Sequence, residues 1–127
     1  MNAAPARTVL RVDFAPPRPQ RATVPAKGRI PRLARLLALA HRIDALVQAG
    51  ELRDLADAAR ILGLTRARVT QIMNLLLLAP EIQAEILELP PTMGRDVVTE
   101  RQLRPIVAEP DWSRQFVLWR QLHREVA

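Results

Sequence analysis

Thr65, Arg66, Ala67, Arg68, Thr70, Gln71 and Asn74 fall within one short stretch of the chain. These are the residue types that meet DNA. Gln and Asn can pair bidentately with adenine N6 and N7, Arg with guanine O6 and N7, and an Ala or Thr methyl can meet the thymine methyl. A Thr hydroxyl and the free N–H groups of a helix's first turn can hold a phosphate oxygen. Such work needs all of them on one outward surface. The interleaved apolar residues supply that division. Val69, Ile72, Met73 and Leu76 follow the i, i+3, i+4, i+7 pattern of a helix face. Turning them inward leaves Ala67, Thr70, Gln71 and Asn74 outward, with Arg66 and Arg68 flanking.

Other chemistries lack their parts. The chain has no cysteine, so disulfides, thiolate metal sites and thiol nucleophiles are excluded. Ser113 is the only serine, and His41 and His123 are far apart in sequence. Glu81, Glu85 and Glu88 recur at helical spacing without a nearby histidine, which reads as a solvated acidic face. A lone histidine at 41 on the polar side of a helix reads as an ordinary surface residue. No Gly-rich phosphate loop is present. No catalytic residue, metal ligand or cofactor is expected, and the chain is read as a non-enzyme.

The outward residues need a helix before them to set their angle. Leu55, Ala58, Ala59 and Leu62 repeat the same apolar spacing, and the two small alanines let another helix cross closely. Gly63 tolerates the positive φ of a helix C-terminus. Thr65 is a good N-cap. Asp54–Asn74 therefore predicts a helix-turn-helix, whose second helix lies in the DNA major groove. The competing possibility is a helical hairpin used only for packing, with its arginine face solvated.

Around this motif the 127 residues divide in two: an arm over 1–29 and a folded unit over 30–127. Pro16, Pro17, Pro19 and Pro25 block helix in the arm. The imperfect alternation at 8–14 would be marginal as a lone strand. The arm holds six Lys/Arg against one acid, and the rest 13 against 12, so nearly all of the formal charge of +6 sits in the arm. Arg18, Arg21, Lys27 and Arg29 are its candidate DNA contacts. A basic arm points to a polyanionic partner; the alternative is a solubilising tail. Pro31 opens a helix reaching about Ala49, with an apolar stripe of Ile30, Leu33, Leu36, Ala40, Ile43 and Val47. The run 75–78 is apolar on more than one face and must be covered by later segments of the chain. Pro80 starts a helix burying Ile82, Ile86 and Leu89. Thr99 and Gln102 form a capping box for a helix burying Leu103, Ile106 and Val107, with Pro105 distorting or shortening it. Asp111 caps a last helix carrying Trp112, Phe116, Trp119, Leu122 and Val126, a stripe that is either core or a dimer contact. The expected fold is an all-α bundle of about five or six helices behind a disordered basic arm. No apolar run approaches the roughly 18 residues that span a bilayer, so no membrane partner is expected and a cytoplasmic, nucleoid-associated protein is.

The stretch Leu64–Leu87, LTRARVTQIMNLLLLAPEIQAEIL, resembles the recognition helix and following helix of the ParB/KorB family of partition proteins. Arg32–Ala49 is similar to the helix before that motif, and Val98–Val107 to the short helix after it. The similarity covers roughly 32–126 and is weakest after Pro110. It implies sequence-specific binding of double-stranded DNA, in partition, transcription or recombination on a plasmid, phage or other mobile element. It also implies a second copy or a larger DNA-bound protein, such as a recombinase, as partner, because one helix reads few base pairs. The family's nucleotide-binding domain and C-terminal dimerisation domain have no counterpart here, so CTP chemistry is not carried over. The alternative class is a protein-interaction module docking on a recombinase or replication protein, with only minor DNA contact.

Overall fold

A computed structural model describes residues 28–126. The run 8–14 and the arm residues Arg18, Arg21 and Lys27 lie outside them. The described residues are all-helical, as expected: α1 Arg32–Gln48, α2 Leu55–Leu62, α3 Arg66–Met73, a 3-10 turn Asn74–Leu77, α4 Pro80–Leu87, α5 Glu100–Val107 and α6 Trp112–Val126. Among these residues β pairing is limited to one isolated antiparallel bridge, Arg29 to Thr92.

Helix ends fall where local chemistry demands. Asp54 accepts the Asp57 N–H at 2.9 Å, Thr65 the Arg68 N–H at 3.0 Å, and Thr99 with Gln102 forms the full capping box. Pro80 takes the first position of α4, where its missing N–H leaves no bond unmade. Asp111 accepts the Ser113 N–H at 2.8 Å at the head of α6. α1 and α2 stop in the same way. Gly50 and Gly63 take φ of 79° and 70°, and the next N–H reaches back to Leu46 O (2.9 Å) and Ala59 O (3.0 Å) respectively. This is the Schellman pattern, which needs a left-handed residue. A Cβ at Gly63 would meet nothing within 4 Å, so the glycine answers to its φ and not to crowding.

α1 is the spine, because it serves two cores at once. Its first half places Leu33, Ala34 and Leu37 against Leu75, Leu78, Ile82, Ile86, Leu103, Ile106 and Trp119. Its second half places Ile43 and Leu46 against Leu52, Ala58, Ala59 and Val69. The buried seam is therefore Leu33, Ala34, Leu37, Ala40, Ile43 and Leu46. The stripe read from periodicity was offset: Leu36 and Val47 are half-buried, and Ile30 precedes the helix and is 59% exposed. A helix gripped from two directions buries a wider face than one stripe describes.

Leu75–Ala79 is the irregular joint between α3 and α4. Leu75, Leu78 and Ala79 are buried, yet their backbone cannot continue as helix into Pro80. Two glutamines satisfy the stranded groups. Gln83 Nε2 donates to Leu76 O (3.2 Å) and Leu78 O (2.9 Å). Gln115, 1% exposed, accepts the Ala79 N–H at 2.8 Å and donates to Leu77 O (3.2 Å) and Glu109 O (2.8 Å). The cover for this run is thus polar as well as apolar.

The aromatic stripe of α6 splits. Trp119 is 2% exposed and its Nε1 donates to Glu85 at 2.8 Å, so it is core. Phe116 is half-buried against the same core, whereas Trp112 is 51% exposed. The Val126 side chain lies outside the described part.

Candidate nucleic-acid interface

α2 and α3 are joined by Gly63, Leu64 and Thr65 alone, so the two helices must turn sharply against each other. Ala58 and Ala59 are buried at that crossing, and Val69 packs into the same cluster. Leu55, Leu62 and Met73 cover its edges half-buried. With Val69 and Ile72 pinned inward, α3 has no rotational freedom left. Its outer surface is thereby set: Thr65, Arg66, Ala67, Thr70, Gln71 and Asn74 are all exposed.

Each expected contact residue has a definite place on that surface. The Thr65 hydroxyl is occupied as an acceptor by the Arg68 N–H. The N–H groups of Arg66 and Ala67, at the first two helical positions, have no intrahelical acceptor and face the start of the helix. Arg66 has no ion pair among the described residues. Asn74 lies just beyond α3 and opens the 3-10 turn, with φ −64° and ψ −17°. Asn74 nevertheless stays on the exposed side.

Arg68, expected to flank the outward residues, is half-buried and tied to another helix. Its guanidinium grips the Glu100 carboxylate of α5 through two bonds, at 2.7 and 3.0 Å, and donates to Gln71 Oε1 at 3.1 Å. Both partners are partly shielded, with side-chain exposures of 25% and 16%. The hydrogen bonds from Arg68 hold the Glu100 carboxyl below the usual glutamate range, with added attraction from Arg104 and Arg32, against an opposing burial effect. The same pair raises the Arg68 pKa. A carboxylate with a depressed folded pKa contributes stability above its unfolded value, near 4.3. That contribution disappears as pH falls through the folded value. Glu100→Gln should therefore cost about 1 kcal/mol near neutral pH, given the partial solvent screening. Thermal melts of the two proteins should converge as pH drops below about 4. A gap that persists undiminished in acid would rule out the ion pair as its source.

Arg29, counted with the arm from composition, is also bonded to the folded residues. Its backbone exchanges two hydrogen bonds with Thr92, at 3.0 and 2.8 Å. Its guanidinium bonds Asp96 (3.0 Å) and Gly94 O (2.8 Å). Through these bonds Arg29 fastens the 92–96 loop.

Sequence spacing did not reveal α5 as part of this surface. Gln71, Asn74, Leu75, Leu77, Glu100, Arg104, Val107 and Ala108 line a groove of about 360 Å³ between the end of α3 and α5. Arg104 is exposed and carries no ion pair among the described residues. The signal was weak because 68 and 100 lie in separate elements and only packing brings them together. A second concavity of similar size is more apolar; its walls include Pro31, Leu89, Met93, Val97 and His123. His41, the other histidine, pairs with Gln83 Oε1 at 2.7 Å on the exposed side of α1. Among the described residues no group of three or more His, Cys, Asp or Glu could hold a metal ion, and no helix is long and apolar enough to cross a membrane. No family model, curated protein or solved structure matches this chain.

Proposed function

We propose that this chain binds double-stranded DNA in a sequence-dependent way, with α3 seated in the major groove as the second helix of a helix-turn-helix. The observation that carries the proposal is the surface of α3. Its inward residues are locked into the core, and its outward set is polar or small, with Arg66 in no ion pair among the described residues at the N-terminal end and Gln71 and Asn74 beside Arg104. Those groups suit phosphate contact at the helix start and base-edge contact along it. The basic arm with Arg18, Arg21 and Lys27 adds sequence-independent attraction. The role is that of a regulator or accessory factor on a mobile element, plasmid or phage, in keeping with the ParB/KorB resemblance. A second copy or a larger DNA-bound protein completes the site, since one short helix reads only a few base pairs.

The test is a salt titration of the full chain on duplexes selected from a random pool and on unselected duplexes. Affinity should fall steeply with salt on both and favour the selected sequence. Gln71→Ala should lose about 1–3 kcal/mol on the selected site and little on the unselected one. Equal loss on both would show that α3 does not read bases, and absence of binding at low salt would remove the proposal. The second reading, a protein-docking module, draws on Trp112 at 51% exposure and on the apolar concavity beside Met93 and Val97. It predicts salt-insensitive association with a protein partner and no duplex selected from the pool.

A further inference from the structure

Gln71 is exposed, and an exposed glutamine amide can ordinarily present either end to a ligand. Here one of the two lone pairs on the amide oxygen is taken. Arg68 Nη1 donates to Gln71 Oε1 at 3.1 Å and to Glu100 Oε2 at 2.7 Å, while Nη2 donates to Glu100 Oε1 at 3.0 Å. The carboxylate grips the guanidinium through both of its oxygens, a fork geometry that fixes the plane of the arginine. The fixed arginine in turn fixes which way the Gln71 amide faces. Its oxygen is turned toward Arg68 Nη1, so a base amino group must share that oxygen with a cationic donor. Its NH2 remains as the free end, with donors only.

Resting on the DNA-binding function proposed above, we infer that Glu100 is a specificity-positioning residue: acting through Arg68, it turns the Gln71 amide so that its NH2 end leads, which favours a guanine edge. Guanine offers two acceptors in the major groove, O6 and N7. Adenine offers one acceptor and one donor, and the usual bidentate glutamine contact would have to share the amide oxygen with Arg68. The same chain explains a charge that would otherwise be misplaced. An acid lining the groove repels phosphate, but Glu100 is matched by Arg68, with Arg104 and Arg32 close enough to act on it. Arg68 is therefore spent on Glu100 and adds no phosphate contact.

The test uses the full chain on its selected duplex and on duplexes changed at single base pairs. Gln71→Ala locates the base pair that Gln71 reads. At that pair the wild type should prefer guanine over adenine on the order of tenfold. Glu100→Ala should remove this preference and free Arg68. Affinity for random duplex then rises, and the slope of log affinity against log salt steepens by about 0.9, one added phosphate contact. Arg68→Met breaks the chain at its other link, so it should lose the same preference without the added slope. In the Gln71→Ala background neither change should alter selectivity at that pair. Circular dichroism melts show whether each variant is folded at the assay temperature.

A wild-type preference for adenine at that pair overturns the inference. So does a guanine preference that survives both Glu100→Ala and Arg68→Met in folded protein, because a tie that only braces α5 against α3 would change the melting temperature and leave base preference alone. In either case the DNA-binding function stands, since the wild type still selects a site. If the wild type selects no duplex, both fall together.

Discussion

Replacing Gln115 with leucine should destabilise the fold by about 3–6 kcal/mol, because three backbone groups lose their partner at about 1–3 kcal/mol each, toward the lower end for the two part-buried carbonyls. The side chain is 1% exposed and joins three segments: Ala79 N–H, Leu77 O and Glu109 O all bond to it. Leucine has nearly the same volume, so cavity formation contributes little and the effect isolates hydrogen bonding. Water has no easy route to Ala79, which is itself fully buried. A urea titration should show a lower midpoint at an unchanged slope. Small domains have only about 5–15 kcal/mol of total stability, so a loss of this size is a large fraction of it. A loss below about 1 kcal/mol would mean that the joint can satisfy itself, as an ordinary hydrogen bond's net value would allow.

The second large effect concerns the two tryptophans on one helical stripe, at its start and its middle. Trp119→Ala should cost about 3–5 kcal/mol, the range for truncating a buried aromatic residue. Trp119 touches the His123 ring edge-on at 4.3 Å, donates to Glu85, and is the largest of the fully buried side chains. Trp112→Ala should change stability by about 0.5 kcal/mol or less, as for surface positions generally. Its exposed half instead makes it the residue to watch in association. If sedimentation of the wild type shows a dimer, Trp112→Ala should weaken it and Trp119→Ala should act through folding alone. Similar destabilisation by both substitutions would show that Trp112 is covered in solution by a contact outside the described residues.

The candidate site was legible from sequence to the extent that one helix could carry it. Val69 and Ile72 at apolar spacing, Gly63 before them and Thr65 as cap placed α3 and its outward residues without reference to the rest of the chain. Arg68 was legible only as a cation. Its commitment to Glu100 depends on the docking of α5, 32 positions away in sequence. Arg29 was likewise grouped with the arm by composition, although the loop at 92–96 claims it through two backbone and two side-chain bonds. Net charge is a sum over a segment. It says nothing about which charges are already paired in the fold.

The helices themselves, their caps and their stops come from interactions within a few residues. Thr99 meets Gln102, Asp54 meets Asp57, and Gly63 adopts its φ whatever lies beyond it, so periodicity and cap chemistry were enough to place them. Contacts across the fold obey a different rule. Gln115 under the 75–79 joint, Glu100 on Arg68, and the split between Trp112 and Trp119 each depend on where a distant helix comes to rest. A polar side chain is equally suited to solvent or to a buried partner until packing removes the water around it. Tertiary structure alone therefore decided which polar residues became internal supports and which stayed free to meet a ligand.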